Sequence, residues 1–168
     1  MTTKSKKSTV RKISSKTTKP KRTKILCVSH KEDADGISSA ALIKQAFGGD
    51  TILVDYPGMM DELEALRNDV KLKKLFICDV GLNKQTNDSF VDLLTELRKK
   101  RISVTYVDHH DIDPKVATKL KKIKVNLIHD ISECTAVLVY DAFKKKLSEH
   151  STFIAACGAI TDYMENSP

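Results

Sequence analysis

Five short apolar runs, separated by stretches with the 3.6-residue period of helices, organise the chain from residue 24 onward. The first, Lys24-Ile-Leu-Cys-Val28, predicts a strand over 24–29. Thr51–Val54, Leu75–Cys78, Ile102–Val107 and Val125–Ile128 predict four more, built from β-branched, aromatic and other apolar residues. Between them lie a helix over Ile37–Phe47, ended by Gly48-Gly49, and a helix over 60–69 that follows the Pro57-Gly58 turn. Asn87–Lys100 is amphipathic, with Phe90, Leu93, Leu94 and Leu97 on one face. Asp113-Pro114 reads as a cap followed by proline at the first position of a short basic helix. Helices over 134–147 and 151–162 close the pattern, and no internal repeat is visible. Strands alternating with helices are joined by right-handed crossovers. The fold class is therefore α/β, an open, mainly parallel five-stranded sheet with helices on both faces.

Polar residues change that picture where they interrupt the pattern. Three acidic segments fall at or just after strand ends: His30-Lys-Glu-Asp33-Ala-Asp35-Gly36, Asp79, and Asp108-His109-His110. Ligands of open α/β sheets bind outside the carboxyl ends of the strands, so these segments aim at one crevice. Singly, each has a structural explanation. Asp before a helix is a good cap, glycine permits a tight turn, and strand-to-helix loops often carry Asp. Adjacent histidines directly after a buried strand are not demanded by packing. Four or five converging carboxylates would repel one another, at a cost of several kcal/mol. Two divalent cations would offset Asp33, Asp35, Asp79 and a further Asp. Mixed carboxylate and imidazole ligands suit Mn²⁺, Fe²⁺ or Co²⁺ better than Mg²⁺ or Ca²⁺.

Charge divides the 168 residues unevenly. Residues 1–24 carry ten Lys/Arg, ten Ser/Thr and no acid, which leaves 19 basic against 22 acidic residues in the remainder. This tail is expected to be disordered, since Met1, Val10, Ile13 and Pro20 cannot bury enough surface to offset ordering entropy. It reads equally as a nucleic-acid arm and as a solubilising or ribosome-proximal tail. No apolar stretch approaches the ~20 residues of a membrane span, and the tail lacks a signal peptide's apolar region. Cys27, Cys78, Cys134 and Cys157 form no C-x-x-C pair and are expected to be buried free thiols in a reducing cytoplasm.

Weaker signals remain. His129-Asp130, Ser132 and Thr135 are expected to serve loops and helix caps. The basic runs at 98–101, 121–124 and 144–146 sit near helix ends, where they oppose the helix dipole or offer a nucleic-acid track. Five Phe, four Tyr and no Trp leave little material for base stacking.

The motif series His30-x-x-Asp33-x-Asp35-Gly36, Asp79, Asp108-His109-His110 and Gly158-Ala-Ile-Thr161-Asp162 resembles that of the DHH phosphoesterase family. That family includes RecJ-type exonucleases, oligoribonucleases, cyclic-dinucleotide phosphodiesterases and manganese pyrophosphatases. The resemblance covers residues 25–162, and the Asp33-Ala-Asp35-Gly36 turn looks RecJ-like. It implies two divalent cations, Mn²⁺ foremost, with Mg²⁺ or Co²⁺ as alternatives. His30, Asp33 and Asp79 would hold one, and Asp35, Asp79, His109 and Asp162 the second, with Asp79 bridging. Asp108 would orient a ligand histidine, and His110 would contact the scissile phosphate or leaving oxygen. The implied substrate is single-stranded nucleic acid, a short oligonucleotide or a nucleotide. His30 and Asp33 stand one residue closer than in some members. The organisation expected is a tail, 1–24, and a DHH-type catalytic domain, 25–168, without the family's usual C-terminal substrate-binding domain. A partner or a further domain would then supply that grip. The alternative reading is a non-catalytic DHH-type subunit of a replication or repair assembly.

Overall fold

The computed structural model describes residues 25–163, so the expected disorder of the tail lies outside the described residues. The strands are β1 (Ile25–His30), β2 (Asp50–Val54), β3 (Lys74–Cys78), β4 (Ser103–Asp108) and β5 (Asn126–His129). The helices are α1 (Ala34–Phe47), α2 (Met59–Glu64), α3 (Asn87–Lys99), α4 (Pro114–Lys122), α5 (Thr135–Phe143) and α6 (Ser151–Thr161). One sheet in the order β2-β1-β3-β4-β5 holds all five strands, and every pairing in it is parallel. The order reverses between β1 and β3, and a doubly wound sheet opens its crevice at that point.

Successive strand residues face opposite sides of a sheet, and the packing follows that period of two. Leu26, Val28, Leu75, Ile77, Val104 and Tyr106 belong to one core, shared with Leu63, Phe90, Leu94, Leu97 and Leu120 of α2, α3 and α4. Cys27, Phe76, Cys78 and Val107 face the other core, shared with Leu42, Ile43, Val139, Ala155 and Ala159 of α1, α5 and α6. Burying both faces is what the near-continuous apolar runs required.

Boundaries moved where caps intervened. Asp33 accepts the Gly36 N–H at 2.9 Å, so α1 starts at Ala34 and takes Asp35 and Gly36 into its first turn. Asp113 likewise caps α4, accepting the Lys115 N–H at 2.8 Å with Pro114 at the first position. The helix predicted over 60–69 is α2 followed by a 3-10 turn, Ala65–Asn68. That predicted over 134–147 ends at Phe143, where three consecutive lysines tighten into a second 3-10 turn. Cys157 corrects the expectation of four buried thiols, because it is exposed while the other three are buried. The helical period turns Ala155, Gly158 and Ala159 of α6 toward the core and leaves residue 157 on the opposite side.

Gly36 is fixed by proximity rather than by a turn. A Cβ there would lie 2.4 Å from the His30 carbonyl oxygen, because the first turn of α1 rests directly on the end of β1. Ser29 braces that contact from below, donating to the Gly36 carbonyl at 2.7 Å with the Cys78 carbonyl at 3.1 Å also in reach. Gly36→Ala must push α1 off β1, and should cost about 1–3 kcal/mol in chemical denaturation. A variant as stable as the parent would show that the contact is not tight.

Candidate metal centre

Adjacent strands β1, β3 and β4 end side by side, which places His30, Asp79 and Asp108-His109-His110 along one sheet edge. Asp79 occupies the left-handed region with φ 55°, and its N–H bonds the Val107 carbonyl at 3.0 Å. A non-glycine residue pays about 1–3 kcal/mol for such a conformation, which persists where the surroundings over-determine it. Asp79 is 1% exposed and sits at the centre of the crevice. The His30 Nδ1 is 2.8 Å from Asp33 Oδ2 and 3.7 Å from Asp79 Oδ2. On the other side, His109 Nε2 is 3.5 Å from Asp79 Oδ1, 3.3 Å from Asp162 Oδ2 and 3.9 Å from Asp35 Oδ2. The six ligands expected from sequence, carried by β1, α1, β3, β4 and the end of α6, therefore converge.

Within this crevice, three sets have donor atoms close enough to share an ion: His30, Asp33 and Asp79; Asp35, His109 and Asp162; and Asp79, His109 and His110. A fourth set, His30, Glu32 and Asp55, lies beside it and gave no sequence signal. His30 Nε2, Asp79 Oδ2 and Asp162 Oδ2 are buried without a hydrogen-bond partner. Unsatisfied lone pairs are costly in a buried site, and a cation is the group that would use them. The donor set fits divalent metal.

Charge compensation is visible in the titration behaviour. Burial raises the Asp35 carboxyl and Asp79 adds repulsion, although the Ala136 and Thr135 amides oppose both. Burial and the Asp35 charge push Asp162 up to about 6, with His109 pulling the other way. Asp33 stays below the usual carboxylate range, because the Gly36 amide and His30 outweigh the effect of its burial. Contact with Asp79 raises His109 to about 9 despite burial, helped by the Asp162 and Asp35 charges. Without metal, the His109 proton partly neutralises the crevice.

Asp108 stands behind this cluster, against His110 rather than the expected ligand His109. Its Oδ1 is 2.9 Å from His110 Nδ1, a contact that raises the His110 imidazole. Its Oδ2 is 3.0 Å from the buried Tyr106 hydroxyl, which also lies 2.7 Å from the Val80 carbonyl. Tyr106 escaped the sequence reading because an aromatic residue inside a strand looks like core. Thr135 was expected as a cap, but its hydroxyl donates to Asp79 Oδ1 at 3.3 Å. The amides of Thr135 and Ala136, at the start of α5, donate to the two Asp35 oxygens at 2.8 and 2.7 Å. His129 Nε2 is 2.6 Å from the His110 carbonyl, so it fixes the backbone of that loop from outside the ligand cluster. Tyr56 packs against His30 at 5.0 Å between ring centres, and accepts the Gly81 N–H at 3.3 Å.

A ligand histidine must lose its proton to bind a cation, so divalent affinity should rise as pH climbs toward about 9, the His109 value. Below about 6, protonation of Asp162 should weaken it further. Calorimetric Mn²⁺ titration in buffers of different ionisation enthalpy should show about one proton released at mildly alkaline pH. His109→Ala should abolish the release, and an unchanged release would remove His109 from the ligand set.

Comparison with known proteins bears on the family and the fold. The profile of the DHH family, N-terminal domain, matches residues 24–161. Among solved structures, the crystal structure of an uncharacterised protein from Helicobacter pylori G27 is similar, with a TM-score of 0.57 and 20% identity. The likeness covers 79% of this chain and 40% of that one, and at such identity it speaks for the fold alone. The chain thus spans less than half the length of that solved relative. No curated protein matches.

Proposed function

The chain belongs to the DHH family, and on that premise we propose that it is a RecJ-like, two-metal phosphoesterase. Its substrate is a phosphodiester of single-stranded nucleic acid, a short oligonucleotide or a nucleotide. The observation that carries this reading is the pair of donor sets on either side of Asp79, His30 with Asp33 and His109 with Asp35 and Asp162. Asp79 faces both, with Oδ2 toward His30 and Oδ1 toward His109. Divalent cations bound there would neutralise charge developing on a phosphoryl group and lower the pKa of a water.

The chain's own residues do the rest. Asp33, Asp35, Asp79 and Asp162 supply four negative charges that bind a cation pair and, left alone, would repel a phosphate. The Thr135 and Ala136 amides fix the Asp35 carboxylate, and the Thr135 hydroxyl fixes Asp79. Asp108 holds His110 through Nδ1, leaving the other ring nitrogen for a phosphoryl or leaving-group oxygen. Because Asp108 raises the His110 imidazole, the protonated form that can donate there is favoured. Tyr106 keeps Asp108 in place from the core side.

Mn²⁺-dependent release of mononucleotides from a labelled short single strand tests the reading directly. Asp79→Ala and His110→Ala should each lower turnover by about 10²-fold or more. Asp79→Ala should also lose Mn²⁺ binding, whereas His110→Ala should keep most of it. Absence of turnover with DNA, RNA, a cyclic dinucleotide and pyrophosphate would overturn the enzyme reading in favour of a non-catalytic DHH-type subunit.

A further inference from the structure

The carboxyl edge of the sheet gathers the acids of the crevice, and the opposite edge gathers bases that the crevice does not use. Crossover helices run against the strands, so their carboxyl ends and the loops leading into the strands share that second edge. Segments 71–74, 98–101, 121–124 and 144–146 meet there, with thirteen Lys/Arg and no Asp/Glu among them. The register sets Lys74 beside both Ile25 and Ser103, while Thr105 of β4 pairs Asn126. The Ser103 N–H bonds the Lys73 carbonyl at 2.9 Å, and the Arg98 guanidinium bonds the Ile102 and Ile123 carbonyls at 2.7 and 3.2 Å. Lys74 and Lys146 converge on the Phe47 ring, at 4.0 and 5.3 Å from its centre. These contacts tie the four basic segments to one another.

Helix dipoles account for Arg98 and Lys99 on α3 and for Lys121 and Lys122 on α4. They do not account for Arg101 and Lys124. Both occupy the left-handed region, with φ 62° and 61°, just past the ends of α3 and α4. Glycine is the default residue there, because a side chain is strained in that conformation. Two helices thus end on a base where the backbone favours none. Of these bases, Lys144 pairs with Asp141 at 3.3 Å. Nearby, Glu96 is taken by Arg67, and Asp50 and Asp69 are both engaged. Tyr56 and Tyr163 lie toward the crevice, and Phe47 is partly buried under Lys74 and Lys146. Phe153 in the first turn of α6 is the one exposed aromatic on the side of this edge among the described residues, too few for a row of stacked bases. Residues 1–24, with ten further bases, lead into the sheet at Ile25 on this same edge.

We propose that this basic edge is a second binding surface, one that holds the phosphate backbone of nucleic acid without reading its sequence. It lies a strand's length, roughly 17–20 Å, from the acidic crevice. Contact through phosphates alone makes the surface indifferent to base identity and able to take single strands and duplexes. The inference rests on charge placement and backbone strain, and does not depend on hydrolysis in the crevice.

Binding of a labelled single strand and of a duplex to the full chain, in EDTA across a range of KCl concentrations, tests it. Arg101→Gly with Lys124→Gly removes two charges at positions where glycine is favoured, so the fold is retained. That variant should weaken binding by about threefold or more, and flatten the log Kd against log salt slope by about 0.7–0.9 per lost contact. Adding Lys99→Glu and Lys122→Glu should weaken it at least about tenfold. Lys115→Ala, which removes an exposed base at the start of α4 on the other edge, should bind as the parent does. Unchanged affinity and slope in both edge variants would overturn the proposal, as would a loss of binding in Lys115→Ala equal to theirs. Tighter binding of polyglutamate than of nucleic acid would overturn it in favour of an acidic protein partner.

Discussion

Repulsion among carboxylates is the constraint around which this molecule is arranged. Asp33, Asp35, Asp79 and Asp162 share one small crevice with Asp108 directly behind it, and folding must hold them together against their charge. Four of the five are restrained by something specific. The Gly36 amide holds Asp33, two amides at the start of α5 hold Asp35, and a left-handed backbone with the Thr135 hydroxyl holds Asp79. Tyr106 and His110 clamp Asp108 from two sides. What is left unsatisfied, on His30, Asp79 and Asp162, points to a positive partner.

The parallel sheet makes such a crowd affordable to build. Parallel strands need both faces covered, and the two cores on either side of β1, β3 and β4 give the sheet a rigidity that single loops lack. Short exits from rigid strands then fix the acidic side chains with little freedom to drift apart. Charge of the opposite sign collects at the other end, where helices finish and strands begin. One topology thus sorts the charges of the chain into two poles.

Much of this was legible in the sequence, for reasons that differ by element. The strands declared themselves because both their faces are buried, so their apolar runs are nearly unbroken; Leu75–Cys78 is the clearest case. Caps such as Asp113 were readable because their bonds reach only two residues along the chain. The metal-type ligands stood out because histidines and carboxylates at strand ends serve no packing purpose. Partners acting through space were not legible. Nothing local to Thr135 or Ala136 says that their amides will meet Asp35, a hundred residues earlier. Tyr106 reads as core since its ring is core, and only the hydroxyl belongs to the crevice. Cys157 misled for the opposite reason, since a small thiol on an apolar helix is compatible with either face.

The bond between Asp35 and the start of α5 also sets an order of assembly. His30, Asp33 and Asp79 are carried by β1, the cap of α1 and the end of β3, all within the first half of the chain. Asp35, His109 and Asp162 cannot meet until α5 has docked and α6 has brought in its last turn. Synthesis proceeds from the amino terminus, and long-range contacts form late. The donors of one half of the crevice are thus synthesised before those of the other, while Asp79 gains its restraints only with β4 and α5. A nascent chain would carry the donors of a three-ligand set well before the four-carboxylate crowd exists, and the most repulsive step of folding falls to the last helix.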